Sequence, residues 1–195
     1  IYLRQAEALG LGHAVLCAEP VVGDEPFAVI LADDLLRNRN GGNCMEQMVE
    51  VYDEYHGSVL GTETVPEEEI HKYGVVAGTR ISDRVSRVDE IVEKPSASEA
   101  PSNQGVVGRY ILTPKIFEKI RLTGRGAGGE IQLTDAIAAL LKDEEVYAYS
   151  FDGKRYDCGS KLGYLQANVE LALEHPELKD EFREYLKSLA VCNNR

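Results

Sequence analysis

Five stretches of the chain carry residues able to handle a phosphorylated ligand. Asp33 and Asp34 directly follow an apolar, β-branched run, Phe27 to Ala32. A carboxylate at the end of such a strand can hold Mg²⁺, which usually takes one or two carboxylates and completes its shell with phosphate oxygens and water. The same pair can equally cap a turn. Glu93-Lys94-Pro95 sets a carboxylate beside an ammonium. A Glu can accept sugar hydroxyls and a Lys can neutralise a phosphate; a solvated surface pair ahead of a turn is the competing reading. Asp157, in Tyr156-Asp157-Cys158-Gly159, can be a second metal ligand or a helix-start carboxylate favoured by the dipole. Gly10-Leu11-Gly12-His13-Ala14 lets a backbone approach a ligand closely. It also reads as a plain loop entering a helix, and it is neither a P-loop nor a full GxGxxG. Glu130 to Asp135 carries carboxylates that suit a helix start.

These residues need elements to position them. The run Phe27 to Ala32 reads as a buried central strand with Asp33 at its carboxyl end. A polar turn, Arg37 to Asn43, leads to an amphipathic helix over Met45 to Tyr55. Further strands are expected at Gly57 to Thr64, at Tyr73 to Val76 and at Val88 to Val92, the last two separated by a turn-like Ala77 to Asp83. Pro95 ends the last of these. Gly105 to Leu112 is another strand, and Pro114 starts a short helix. A flexible glycine-rich loop, Thr123 to Gly129, precedes a helix over Glu130 to Leu141 and a strand over Val146 to Phe151. Two helices, Lys161 to Glu174 and Leu178 to Leu189, are divided by His175-Pro176. Alternating strands and helices indicate an α/β layered fold with a parallel or mixed sheet. Ligands of such sheets sit beyond the carboxyl ends of strands, where Asp33 falls.

Composition narrows the chemistry further. The 195 residues are 44% hydrophobic and 28% charged, the balance of a soluble globular domain. The sequence has no apolar run long enough for a transmembrane helix, and its start lacks the layout of a signal peptide. The net charge of −12 argues against a nucleic-acid or anionic-membrane surface. It leaves room for a small phosphorylated ligand, which needs only one local Lys and a metal ion. Cys17, Cys44, Cys158 and Cys192 form no CxxC pair and no zinc spacing, and read as reduced thiols in a cytoplasmic protein. The first residue is Ile1, so the sequence is expected to begin in mid-protein.

Taken together and in order, the motifs resemble the bacterial UTP–glucose-1-phosphate uridylyltransferases (UDP-glucose pyrophosphorylases), within the sugar nucleotidyltransferases. The matching stretches are GLGHAVLCA (10–18), GDEPFAVILADDLL (23–36), YGVV (73–76), VDEIVEKP (88–95), APSNQGVVGRYILTP (100–114), GAGGEIQLTDAI (126–137) and YDCGSKLGYLQANVE (156–170). GEIQLTDAI and DCGSKLGY separate this subfamily from the thymidylyltransferases. The family's N-terminal glycine-rich triphosphate loop has no counterpart in these residues.

The resemblance implies a Rossmann-like nucleotidyltransferase domain with a mixed central sheet, N-terminally incomplete, over residues 1–159, and a C-terminal helical segment over 160–195. It implies formation of UDP-glucose and pyrophosphate from UTP and glucose 1-phosphate, with Mg²⁺, in a cytoplasmic homo-oligomer that needs neither nucleic acid nor membrane. By the same match, Gln5 and Gly10 contact the uracil base. Asp33 and Asp157 are the metal carboxylates. Gly74, Glu93 and Val106 bind the sugar, and Lys94 meets the sugar phosphate. Asp33, Lys94 and Asp157 are thus the catalytic set. Lys161 is a further phosphate candidate, and Asp34 is given no metal bond. Two other readings remain: a sister thymidylyl- or cytidylyltransferase, and a non-catalytic oligomerising module. These residues alone are expected to lack transferase activity and to expose an apolar sheet edge along Val29-Ile30-Leu31.

Overall fold

A computed structural model describes residues 1–38 and 42–192. The chain divides into two units, one formed by Ile1–Leu31 with Asn38–Gly153, the other by Ala32–Arg37 with Lys154–Arg195. Residues 39–41 of the turn expected at Arg37 to Asn43 lie outside the described residues.

The first unit is built on a six-stranded mixed sheet. Its strands are β1 (Phe27–Ile30), β3 (Ser58–Thr64), β4 (Gly74–Arg80), β5 (Val85–Glu93), β6 (Gln104–Leu112) and β7 (Val146–Ser150), in the order β1-β6-β3-β7-β5-β4. β3 and β7 run parallel, and the other pairs are antiparallel. Helices α4 (Lys115–Leu122) and α5 (Leu133–Leu140) cover one face. They bury Ile116, Phe117 and Ile120, and Leu133, Ala136, Ile137 and Leu140. These are helical spacings, so each helix turns one apolar stripe to the sheet. Phe27 stacks on Phe117 with ring centroids 5.0 Å apart. Short helices α1 (Leu11–Leu16) and α2 (Glu19–Val22) precede the sheet. Helix α3 (Cys44–Tyr55) starts with a reciprocal capping box between Asn43 and Glu46 and buries Cys44, Met48 and Val51. Ile137 is 0% exposed in the centre of the core. Ile137→Ala is expected to cost about 2–5 kcal/mol, read as a lower urea midpoint at unchanged m-value.

The second unit holds a two-stranded antiparallel ribbon, β2 (Asp34–Arg37) with β8 (Lys154–Asp157), then helices α6 (Lys161–Ala172) and α7 (Lys179–Cys192). Ser160 caps α6 by accepting from the Gly163 N–H at 3.0 Å. Tyr156 donates to Glu170 Oε2 at 2.8 Å, which ties α6 to the ribbon. Among the described residues no helix is long and apolar enough to cross a membrane.

Several expectations need correction. The strand at Phe27 has β6 as its one strand partner among the described residues and alternates, leaving Ile30 57% exposed; this matches the apolar edge expected along Val29-Ile30-Leu31, not the buried central strand that the apolar run alone suggested. An unbroken apolar run looked doubly buried, but the side chains of an edge strand still alternate between two faces. β2 and β8 were not foreseen. Each is four residues long, and they are 117 positions apart at their nearest ends, so neither carries a local pairing signal. The turn-like Ala77 to Asp83 is mostly strand. β4 and β5 continue past a bulge between Ala77 and Gly78 to a turn at residues 81–84. Only glycine fits that bulge, since a Cβ at Gly78 would stand 1.9 Å from the Arg87 carbonyl oxygen. Helix α5 begins at Leu133 rather than Glu130, because the preceding segment is held extended. The Ile131 N–H donates to the Leu9 carbonyl at 2.8 Å, and the Gly12 N–H donates to the Ile131 carbonyl at 2.9 Å.

Candidate active site

The β4–β5 hairpin places two of the predicted sugar residues opposite one another, Gly74 against Glu93. A Cβ at Gly74 would meet the Thr134 hydroxyl oxygen at 2.8 Å and Glu93 Oε2 at 3.4 Å. The absent side chain therefore leaves a notch flanked by a hydroxyl and a carboxylate, a combination that can exchange hydrogen bonds with a sugar hydroxyl. Glu93 is largely sequestered, its side chain 11% exposed, and Lys94 Nζ lies 3.4 Å from Glu93 Oε1. Lys94 has φ +46°, rare for a side-chain-bearing residue. Its N–H donates to the Tyr73 carbonyl at 2.9 Å, and Pro95 follows. The strand thus ends in a backbone twist at Lys94. Val106 sits on β6, registered with Thr62 of β3, and its side chain is part of the core. Only its backbone is left to meet a ligand.

The structure brings the two predicted base contacts together. Gln5 Nε2 donates to the Gly10 carbonyl at 3.1 Å and lies 2.9 Å from His13 Nδ1. Gly10 has φ +104°, and a Cβ there would stand 2.7 Å from Glu130 Cβ and 2.8 Å from the Ile131 carbonyl oxygen. Residues 130–134 therefore border both Gly10, through Glu130 and Ile131, and Gly74, through Thr134. Thr134 was read as part of a helix start and missed as lining. The signal lay in the GEIQLTDAI stretch that carried the resemblance.

Asp135 stands close to this lining. Burial, with the Glu93 carboxylate adding to it, raises its pKa above the ordinary carboxylate range. A carboxyl with a raised folded-state pKa opposes folding once ionised; the penalty is fully present above that pKa and disappears as pH falls through it. Favourable interaction of the Asp135 charge with the start of α5 would tilt the pH dependence the other way. Asp135→Asn is expected to raise Tm by about 1–3 °C at pH 7, and the gain should shrink towards pH 4. A gain that grows towards pH 4 would give the helix dipole the larger share.

In the second unit, register sets Asp34 opposite Asp157. Asp34 is buried and ion-paired with Arg155, which removes it from the metal-ligand candidates. The Cys158 N–H donates to the Asp33 carbonyl at 2.7 Å, and the Gly159 N–H donates to Asp157 Oδ1 at 3.0 Å. A Cβ at Gly159 would stand 3.0 Å from Asp33 Oδ2 and 3.1 Å from Asp157 Oδ1. The two predicted metal carboxylates thus face one cradle that a side chain at position 159 would fill. Among the described residues no group of three or more His, Cys, Asp or Glu could hold a metal alone. Two carboxylate oxygens fit a hard divalent cation that takes its remaining ligands from phosphate and water. Lys161 is the exposed first residue of α6.

Known proteins share this arrangement of elements. The chain is 53% identical over 166 residues to UTP–glucose-1-phosphate uridylyltransferase of Pseudomonas aeruginosa, an alignment covering 85% of this chain and 60% of that protein. It is 46% identical over 190 residues to UTP–glucose-1-phosphate uridylyltransferase 2 of Staphylococcus saprophyticus, covering 97% and 65%. A crystal structure of UDP-glucose pyrophosphorylase complexed with UDP-glucose superposes with a TM-score of 0.87 at 45% identity, covering 90% of this chain and 66% of that one. The chain therefore spans a little under two thirds of the length of the curated relatives it matches. The sequence model of the nucleotidyl transferase family matches residues 1–174. With the mixed sheet, the Gly74–Glu93 pair and the Asp33–Asp157 cradle in place, that match shows that the chain belongs to the nucleotidyl transferase family.

Proposed function

We propose that the chain supplies the sugar-phosphate and metal-binding residues of a UTP–glucose-1-phosphate uridylyltransferase, an enzyme forming UDP-glucose and pyrophosphate. The observation that carries this reading is the notch at Gly74, flanked by Glu93 and Thr134, with Lys94 beside it. Glu93 accepts hydrogen bonds from glucose hydroxyls. Thr134 and the backbone of Gly74 and Val106 complete the match to the ring. Lys94 neutralises the sugar phosphate and orients its oxygen for in-line attack on the α-phosphorus of UTP, so its work is positioning and charge compensation. Gln5 and the Gly10 backbone meet the uracil edge. Asp33 and Asp157 would hold the divalent ion, Mg²⁺ in this reading, which when bound offsets charge developing on the α-phosphate.

The free thiols of Cys17, Cys44 and Cys158 suit a cytoplasmic setting. Leu162 and Leu165 on α6 and Tyr185 and Leu189 on α7, all exposed, support a homo-oligomer.

Binding of the sugar half is tested by titrating glucose 1-phosphate and UDP-glucose into the protein while following backbone amide resonances. Saturable shifts at Gly74, Glu93, Lys94 and Val106 are expected. Saturable binding that leaves these four amides unmoved would contradict the assignment.

A further inference from the structure

Five strands of the first unit close on themselves. β6 pairs β3, β3 pairs β7, β7 pairs β5, β5 pairs β4, and β4 returns to β6 through Val75–Gly105 and Val76–Gln104. The ring encloses a cup of about 560 Å³, within the range of small-molecule sites. None of the predicted site residues lines it.

The lining has a definite chemistry. Val76, Val88 and Ala148 contribute a buried apolar floor. Three hydroxyls that line the cup, those of Thr62, Ser86 and Ser150, have no hydrogen-bond partner among the described residues. Thr62 is only 2% exposed as a residue, yet no buried side-chain polar atom among the described residues lacks a partner, so its hydroxyl opens to the cup. An open hydroxyl of this kind can donate to, or accept from, a ligand that fills the cup. Arg80 and Arg84 also line the cup, against the single carboxylate of Asp83. Asp83 is taken by Arg80 at 2.6 Å. Among the described residues the Arg84 side chain has only Asp152, at 3.7 Å, beyond hydrogen-bond length. In a chain of net charge −12, this lining carries more positive than negative groups.

We propose that the cup is a second binding site, for a small phosphorylated sugar, distinct in its residues from Glu93 and Lys94. The Arg84 guanidinium takes the phosphate, for which its planar fork of donors is suited. The hydroxyls of Thr62, Ser86 and Ser150 exchange hydrogen bonds with ring hydroxyls. The floor packs against the C–H face of the ring. A free phosphate shares the charge but has no C–H face for the floor and no ring hydroxyls to exchange hydrogen bonds with the lining.

The test is a titration of the protein with glucose 6-phosphate, inorganic phosphate and glucose, followed by backbone amide shifts. Glucose 6-phosphate is expected to give saturable shifts at Ser86, Val88, Ala148 and Ser150, with a Kd at least five-fold below that of phosphate. Thr62→Val and Ser150→Ala should each raise that Kd at least five-fold, and Lys94→Ala should leave it unchanged. Arg84→Gln, at an exposed position, should abolish binding; it keeps the test decisive should Thr62→Val fail to fold. Equal affinity for phosphate and glucose 6-phosphate would overturn the sugar half of the proposal. Shifts confined to Gly74, Glu93 and Lys94, or no saturation, would overturn it entirely.

Discussion

Asp33→Asn in the full-length enzyme is expected to lower turnover by about 10²–10³, equivalent to roughly 2.7–4 kcal/mol of transition-state stabilisation. The substitution is isosteric. The backbone of Asp33 is held independently of its side chain, by the Cys158 N–H at 2.7 Å, so the turn should keep its shape. What changes is the charge facing the Gly159 cradle. Asp157→Asn should behave alike, because an amide oxygen can still accept from the Gly159 N–H. Removing either charge leaves a divalent ion one carboxylate, so raising the metal concentration should recover part of the rate. Tm should stay close to that of the parent. Near-parental turnover of Asp33→Asn at saturating Mg²⁺ would refute its role.

Lys94→Ala is expected to lower kcat/KM for glucose 1-phosphate by about 10- to 150-fold, the loss of a charge-assisted hydrogen bond worth roughly 1.5–3 kcal/mol. The KM for UTP should change little, since Lys94 is allocated to the acceptor. Steady-state kinetics with each substrate varied in turn separate the two. Lys94→Gly should lose the same activity and gain some stability, because glycine tolerates the φ of +46° at no cost. Glu93→Gln keeps the shape of the notch but weakens its acceptor, so selectivity among sugar 1-phosphates should relax. A variant that loses UTP affinity while keeping that for glucose 1-phosphate would reverse the allocation.

Much of this site was legible because its residues stand at places where local chemistry and chain punctuation coincide. Glu93-Lys94-Pro95 ends a strand, and Pro95 marks that end in the sequence. Asp33 follows an apolar run, although the strand stops at Ile30 and the carboxylate sits in the turn before β2. Less legible was whatever depends on distant partners. The ribbon joining β2 to β8 comes from segments far apart in sequence, and the Asp34–Arg155 ion pair buries a carboxylate that looked as available as Asp33. The lateral position of β1 was not legible in its composition, which reports burial on each face; the exposed edge along Val29-Ile30-Leu31 was expected only through the resemblance. Thr134 was missed because a helix start explains it fully until Gly74 is placed against it.

On the proposed function, the notch at Gly74 and the Asp33 and Asp157 carboxylates serve uridylyl transfer to glucose 1-phosphate. Pyrophosphate release by the full-length protein, with Mg²⁺, across UTP, dTTP, CTP and ATP against a panel of sugar 1-phosphates, tests it most directly. UTP with glucose 1-phosphate is expected to exceed every other pair at least ten-fold in kcat/KM. A faster reaction with dTTP or CTP, or no pyrophosphate from any pair, would contradict it.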